Sequence, residues 1–143
     1  MFNFANQIKD SRFQFKNISF SEIKDFYPPS SFDGILMDLG ISSFQLDDSS
    51  RGFSFQTDSS LDMRMNQSSG LTAYEWLNQA KEKEIADVFF YLGEERKSRA
   101  LAKQIVEKRK KRKISSTSDL TNLKFPYSRS KKHPATNIFR AIR

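Results

Sequence analysis

The sequence has no cysteine and only one histidine among its 143 residues. Without thiols there is no disulfide, no cysteine nucleophile and no thiolate site for zinc or an iron–sulfur cluster, and one imidazole is too few for a metal site built from histidines alone. No run approaches the roughly 20 apolar residues of a membrane-spanning helix, and residues 1–10 lack the order of a signal peptide. We therefore expect a cytoplasmic protein whose chemistry comes from carboxylates, amides, hydroxyls or a cofactor.

Positive charge is concentrated in the second half of the chain. Residues 1–95 carry 8 Lys/Arg and 15 Asp/Glu, net −7, whereas residues 96–143 carry 16 Lys/Arg and 2 Asp/Glu, net +14, which gives the overall +7. Clustered cations gain free energy by displacing counterions from a polyanion. RNA, DNA, an acidic membrane and a merely solvated basic face are all compatible with this pattern.

The first third of the chain has the pattern of a partial sheet. Residues 12–15 alternate like a short strand, and residues 21–26 suit a helical turn. Residues 35–37 are apolar without alternation, which is typical of a strand buried on both faces of a parallel sheet. Ligands bind beyond the carboxyl ends of such strands, so Asp38 would lie where chemistry occurs. The alternative is that Asp38 only caps the turn after its strand.

The remainder reads as a long loop followed by helices. Residues 41–70 show little periodicity but contain enough apolar side chains to be ordered. Thr72 and Glu75 have the spacing of a capping box that opens a helical segment ending near Gly93. Further helices are expected over residues 94–111, from Ser116 or Thr117 to residue 123, and from Thr136 onward.

Several ordered motifs carry a resemblance that covers nearly the whole chain. They are DGILMDLGISSFQLD (33–47), RGFSF (51–55), LDMRM (61–65), AYEWLN (73–78), GEER (93–96) and HPAT (133–136). Together they resemble the bacterial 16S rRNA cytosine-N4 methyltransferase family. One departure is Phe44, which stands where family members usually carry proline.

The resemblance implies an α/β fold, namely a doubly wound S-adenosylmethionine-binding sheet with an inserted α-helical domain that helps recognise substrate. The corresponding divisions are a partial cofactor-binding domain over residues 1–48, an ordered functional loop over 49–70 and a basic helical insertion over 71–143. The family's glycine-rich first turn and ribose-binding acid would precede residue 1, and its last strands would follow residue 143. We therefore expect a fragment that is inactive alone.

The implied reaction is methylation of the N4 amine of a cytidine in the decoding region of 16S rRNA (nucleotide 1402 in the usual numbering), with S-adenosyl-L-methionine as cofactor and no metal. Asp38 would be catalytic, and Phe20, Asp38 and Gln45 would contact the cofactor. From residue type alone, Gln45 equally suits a loop amide that satisfies nearby backbone, and Phe20 a core aromatic.

The expected partner is 16S rRNA within the small ribosomal subunit. Arg51, Arg64 and Arg96 lie in the family motifs, and Lys110, Lys111 and Lys113 lie in a run of six cations, so all six are candidates for RNA phosphates. The alternative for the arginines is pairing at the protein surface. A homodimer is an open possibility, and the competing function is a non-catalytic RNA-binding helical module.

Two further side chains suit structural roles. Trp76 is expected in the helix-packing core, because Tyr74 and Leu77 flank it. His133 precedes a proline at a helix entrance, and a turn histidine bonded to backbone is favoured over a general base, since nothing else completes a triad or a metal site.

Overall fold

The computed structural model describes residues 5–125 and 133–143, and within these ranges the secondary structure is mostly helical. The helices are α1 (Ile23–Phe26), α2 (Ser43–Asp47), α3 (Ala73–Gln79), α4 (Glu82–Tyr91), α5 (Ser98–Lys111), α6 (Thr117–Thr121) and α7 (Thr136–Ile142). Short 3-10 turns cover Phe20–Glu22 and Ser49–Arg51. In the described part of the chain, no helix has the length and apolar character needed to cross a membrane.

The chain divides into two units, Met1–Leu39 and Gly40–Arg143. Within the first, none of residues 5–39 is buried. Its contacts are local: the rings of Tyr27 and Phe32 meet edge to face at 4.8 Å, and the Lys16 ammonium lies 5.0 Å from the Phe26 ring. This unit therefore has almost no hydrophobic core of its own.

The two expected strands are absent, which corrects the sequence prediction. Residues 12–15 and 35–37 have no strand structure, and Ile35, Leu36 and Met37 are 62%, 97% and 58% exposed. The only β-type pairing in the described ranges is an isolated antiparallel bridge between Ser60 and Ser116. An apolar run forms a central strand only when neighbouring strands satisfy its backbone groups, and residues 5–39 include no such neighbours. The doubly wound sheet thus remains an expectation.

The second unit contains the hydrophobic core. Helix α4 packs on α5 and α7, and α3 packs on α5. The largest fully buried apolar side chains come from these helices and from the segments around them: Phe53, Leu61, Leu77, Ile85, Phe89, Leu101, Ile105, Ile114, Leu120, Ile138 and Phe139. Most of these belong to residues 71–143, the expected helical insertion.

The helix entrance at Thr72 is confirmed, but the following segment is divided in two. Thr72 Oγ1 accepts from the Glu75 N–H at 3.1 Å, and Glu75 Oε2 accepts from the Thr72 N–H at 2.8 Å. Helix α3 then ends at Gln79, because Ala80 turns to an extended conformation. The guanidinium of Arg109 donates to the carbonyls of Leu77 and Ala80 at 2.6 and 2.7 Å. A side chain from α5 thereby satisfies the C-terminal end of α3.

Part of the segment over residues 41–70 packs against this core. Phe53, Leu61 and Met63 are buried, whereas Phe44 is 80% exposed. Gly52 has φ +68°, and a Cβ there would collide with the Ser60 carbonyl oxygen. Only glycine allows this close approach of the two ends of the loop.

Candidate functional site

Asp38 and Phe20 are both exposed in the first unit. Asp38 makes no hydrogen bond or ion pair within the described residues, so the structure does not show the turn-capping role. Phe20 is 66% exposed at the start of its 3-10 turn, which excludes a core role for this ring here. An unpaired carboxylate and an uncovered aromatic ring are both free to meet a ligand.

Gln45 lies in the second unit, in the first turn of α2. Its Oε1 accepts from the Ser42 N–H at 3.0 Å, and Ser42 Oγ accepts from the Gln45 N–H at 3.3 Å, which together form a capping box. The local backbone role expected for such an amide is therefore present. Within the described residues, the side-chain nitrogen of Gln45 has no hydrogen bond, so the amide N–H groups remain available as donors.

Arg51 and Arg64 are brought together by the loop, but both are engaged within the protein. Arg51 Nη2 donates to the carbonyls of Arg64 and Met65 at 2.5 and 3.3 Å, and its Nε is buried without a partner among the described residues. Arg64 Nε donates to Asp62 Oδ1 at 2.8 Å. Hydrogen bonding from Arg64 lowers the pKa of Asp62 to about 2. Contact with RNA phosphates would require these arginines to exchange existing partners.

Arg64 also borders a pocket of about 420 Å³. Trp76 and Arg143 also line this pocket. Trp76 packs against the core with part of its ring and donates from Nε1 to Glu84 Oε1 at 3.0 Å, so the expectation of core packing holds in part.

The run of six cations at the end of α5 is divided by the fold. Three of them make structural contacts: Lys108 and Arg112 pair with Asp119, and Arg109 caps α3. The other three, Lys110, Lys111 and Lys113, are exposed and form no ion pair within the described residues. Lys113 has only a ring contact, 5.8 Å from the Tyr74 centroid. The lysines expected to bind RNA are those that the fold leaves unpaired.

Asp119 is the acceptor for the structural half of this run. Burial disfavours its charged form, but hydrogen bonds from the Ser115 N–H at 2.8 Å and from Lys108 at 3.0 Å outweigh burial and lower its pKa. Although Asp119 is only 2% exposed, these hydrogen bonds keep its carboxylate ionised at neutral pH. It holds the basic end of α5 on α6.

Arg96 lies in the connection between α4 and α5, beside residues that the sequence did not single out. Its neighbours along one groove include Phe90, Tyr91, Lys97 and Arg99. Phe90 and Tyr91 are 50% and 74% exposed. The signal that could have found them is the pair of aromatic residues at the end of an amphipathic helix, followed within eight residues by three cations.

His133 has the structural role expected from its position. Its Nδ1 accepts from the Ala135 N–H at 3.1 Å, and its carbonyl accepts from the Thr136 N–H at 3.0 Å. The imidazole lies 4.9 Å from the Phe55 ring. It therefore helps to begin α7.

Comparison with known proteins agrees with this distribution of motifs. The profile of the MraW methylase family matches residues 2–143. The chain is 44% identical over 149 residues to ribosomal RNA small subunit methyltransferase H of Buchnera aphidicola subsp. Acyrthosiphon pisum (strain APS), covering 99% of this chain and 48% of that protein. It is 47% identical over 137 residues to the protein of the same name from Xanthomonas axonopodis pv. citri (strain 306), covering 94% of this chain and 40% of that protein.

The matches extend over the chain but not over its relatives. A third relative, ribosomal RNA small subunit methyltransferase H of a Hydrogenobaculum species, is 50% identical over 115 residues, which are 78% of this chain and 38% of that protein. The chain thus spans about half the length, or somewhat less, of the curated relatives it matches. Because the family profile covers all but the first residue, the chain belongs to the MraW methylase family.

Proposed function

We propose that this chain forms the middle of an S-adenosylmethionine-dependent methyltransferase that modifies the N4 amine of a cytidine in the decoding region of 16S rRNA. The observation that carries the proposal is the match of the family profile to residues 2–143. The names of the relatives, which specify the small-subunit ribosomal RNA, support the substrate class. The amine and the nucleotide follow from the sequence resemblance.

The chemistry of the three cofactor candidates fits a sulfonium nucleoside with an amino-acid tail. Phe20 offers an uncovered ring for the adenine, Asp38 an unpaired carboxylate for hydroxyl or ammonium donors, and Gln45 free amide N–H groups. When bound, the cofactor supplies an electrophilic methyl group. We assign Phe20, Asp38 and Gln45 to cofactor contact because the sequence resemblance implies these roles, and the exposure of their side chains is compatible with them.

Asp38 is proposed to orient the target base. The exocyclic amine of cytosine is a weak nucleophile because its lone pair is delocalised into the ring, so positioning is the main catalytic task. A carboxylate that accepts a hydrogen bond from the amine would hold the amine in line with the methyl group of the cofactor. It would also stabilise the positive charge that develops on the amine as it attacks the methyl group. The alkylated amine then loses its proton readily.

The basic helical part is proposed to hold the RNA. Lys110, Lys111 and Lys113 are exposed and unpaired within the described residues, so phosphate binding breaks no existing ion pair. Arg96 is also exposed, whereas Arg51 and Arg64 must first leave their partners. A base must leave its stack to be methylated, which favours an unpaired RNA segment as substrate.

The decisive test uses a chimera in which these 143 residues replace the matching stretch of the Buchnera relative. In the chimera, Asp38→Ala should reduce methyl transfer to small-subunit RNA by orders of magnitude and leave the melting temperature nearly unchanged. Asp33→Ala, another exposed carboxylate five residues earlier, is the matched control and should retain activity. Near-normal turnover of the Asp38→Ala chimera would remove Asp38 from the mechanism.

A non-catalytic RNA-binding role is favoured by one feature of the chain taken alone. The buried core and Lys110, Lys111 and Lys113 lie in the second unit, whereas no side chain among residues 5–39 is buried. Calorimetry of the chimera with S-adenosylmethionine distinguishes the two functions. Cofactor binding supports the methyltransferase, and RNA binding without cofactor binding supports the module.

A further inference from the structure

An exposed aromatic pair lies at the C-terminal end of α4. Tyr91 is 74% exposed and Phe90 50% exposed, and their rings meet edge to face with centroids 5.1 Å apart and planes at 85°. Aromatic rings carry a large apolar area, and leaving two of them in water at adjacent positions is unusual for a surface helix. Neither ring takes part in the core that α4 forms with α5 and α7.

Three cations border the same groove. It has a volume of about 420 Å³, and Arg96, Lys97 and Arg99 line it together with Phe90 and Tyr91. None of these three side chains has a hydrogen bond or an ion pair with any other described residue. The groove also includes the start of α5, which has no side-chain cap and no acidic residue in its first turn. Backbone and side chains thus present positive charge there.

The nearby carboxylates are already occupied. Asp87, which also lines the groove, accepts from Lys83 at 2.8 Å. Glu94 pairs with Arg140 at 3.3 Å, and Glu95 accepts from the Lys97 N–H at 2.9 Å. These partners reduce the negative potential beside the rings, so the three free cations dominate the field of the groove.

We propose that this groove binds unpaired RNA, with a base stacked on Tyr91, the more exposed of the two rings, and the flanking phosphates held by Arg96, Lys97 and Arg99. The proposal rests on the proposed function and adds a second contact region to it. Base–aromatic stacking next to cations is the common arrangement in single-strand binding. A duplex would not satisfy the rings, because its bases are already stacked.

The groove is separate from the lysines at the other end of α5. Lys97 and Lys110 are thirteen positions apart, which corresponds to roughly 20 Å along the helix. A single-stranded segment of a few nucleotides spans that length. The groove would hold unpaired bases by stacking, whereas the lysines would contact phosphates only.

The test compares two probes on the intact 143-residue chain: a single-stranded ten-nucleotide cytidine oligomer and an abasic ribose-phosphate oligomer of equal length and charge. Tyr91→Ala should weaken binding of the cytidine oligomer about 5- to 100-fold and leave the abasic oligomer unchanged. Tyr91→Trp should preserve binding, and Leu92→Ala, an exposed neighbour without a ring, should have no effect. The triple change Arg96→Gln, Lys97→Gln and Arg99→Gln should weaken both probes.

Other outcomes contradict the proposal in distinguishable ways. Equal effects of Tyr91→Ala on both probes, or no effect on either, overturn base stacking while leaving RNA binding by Lys110, Lys111 and Lys113 intact. Loss of self-association in Tyr91→Ala with unchanged RNA affinity would identify the patch as a contact between two copies of the chain. If the unaltered chain binds neither probe, the RNA partner of the proposed function fails as well.

Discussion

At the scale of single residues, Asp119 shows how one buried carboxylate engages part of the basic run over residues 108–113. Its buried carboxylate forms ion pairs with Lys108 and Arg112 and accepts hydrogen bonds from the N–H groups of Ser115 and Ser116. A buried charge is tolerated only when its acceptor sites are filled in this way. Two cations that look available in the sequence are thereby committed to stability.

Removing this carboxylate should be costly. Asp119→Ala removes the buried carboxylate that pairs with Lys108 and Arg112 and accepts from the Ser115 and Ser116 N–H groups. We expect a loss of about 3 kcal/mol in the free energy of unfolding, measured by urea denaturation at pH 7. Asp87→Ala is the control, because its pair with Lys83 is exposed, and it should change stability by about 0.5 kcal/mol at most. Equal effects of the two changes would contradict the assigned role.

The carboxylates of Asp119 and Asp62 should make the free energy of unfolding depend on pH. Asp119 and Asp62 have folded pKa values below their ordinary values, that of Asp62 at about 2. The unfolded chain therefore binds more protons than the folded one in acid. Their contribution is fully present above the ordinary aspartate pKa of about 3.9 and is lost as the pH falls through the folded values. Asp119→Ala should flatten the decline in stability between about pH 5 and pH 2.

At the scale of elements, α5 separates two tasks along one helix. Its apolar side, with Leu101, Ala102 and Ile105, is fully buried against the neighbouring helices. The cations at its C-terminal end complement the negative pole of the helix dipole, and of the six residues 108–113 three pair with the protein and three face solvent. Helical periodicity alone does not produce this division, because α5 ends at Lys111; the positions of Asp119 and of the end of α3 decide which cations are engaged.

Substitution of the three solvent-facing lysines should weaken RNA binding without lowering the stability of the fold. Lys110→Gln, Lys111→Gln and Lys113→Gln together should weaken binding almost equally for all RNA sequences and reduce the salt dependence by up to about 0.7 per lost contact on single strands. The matched control changes Lys81, Lys103 and Lys124 to Gln, which alters the net charge equally at other exposed positions. An unchanged salt slope in the first variant would identify these lysines as a solvated face.

At the scale of the whole molecule, the two units differ in how much they can stabilise themselves. Residues 5–39 bury no side chain, and the segment that precedes Asp38 is exposed. A catalytic carboxylate requires a rigid support to keep its position relative to the methyl group and the amine. In this structure the second unit has such support and the first does not.

The isolated 143-residue chain should therefore bind RNA without methylating it. Incubation with radiolabelled S-adenosylmethionine and small-subunit RNA should give no transfer above background, whereas the chimera with the Buchnera relative should transfer methyl groups. The chimera serves as the positive control for substrate and assay. Methyl transfer by the purified chain alone would show that residues 5–39 organise a site without further support.

Local features of this protein can be predicted from its sequence. The Thr72–Glu75 capping box, the turn role of His133, the beginning of α7 at Thr136 and the family membership were all readable, because each depends on residues close together in the chain or on ordered motifs. The end of the basic helix near Lys111 was also readable from its pattern.

Which side chains are engaged within the protein depends on how its segments pack together. The commitment of Arg109 to α3 and the pairing of Arg51 with the Arg64 carbonyl depend on contacts between segments that are separated in the sequence. The strand predicted over residues 35–37 is absent for a related reason. A buried strand depends on hydrogen bonds to neighbouring strands and not only on its own apolar side chains. Residue type fixes what a side chain can do, and packing decides whether it is free to do it.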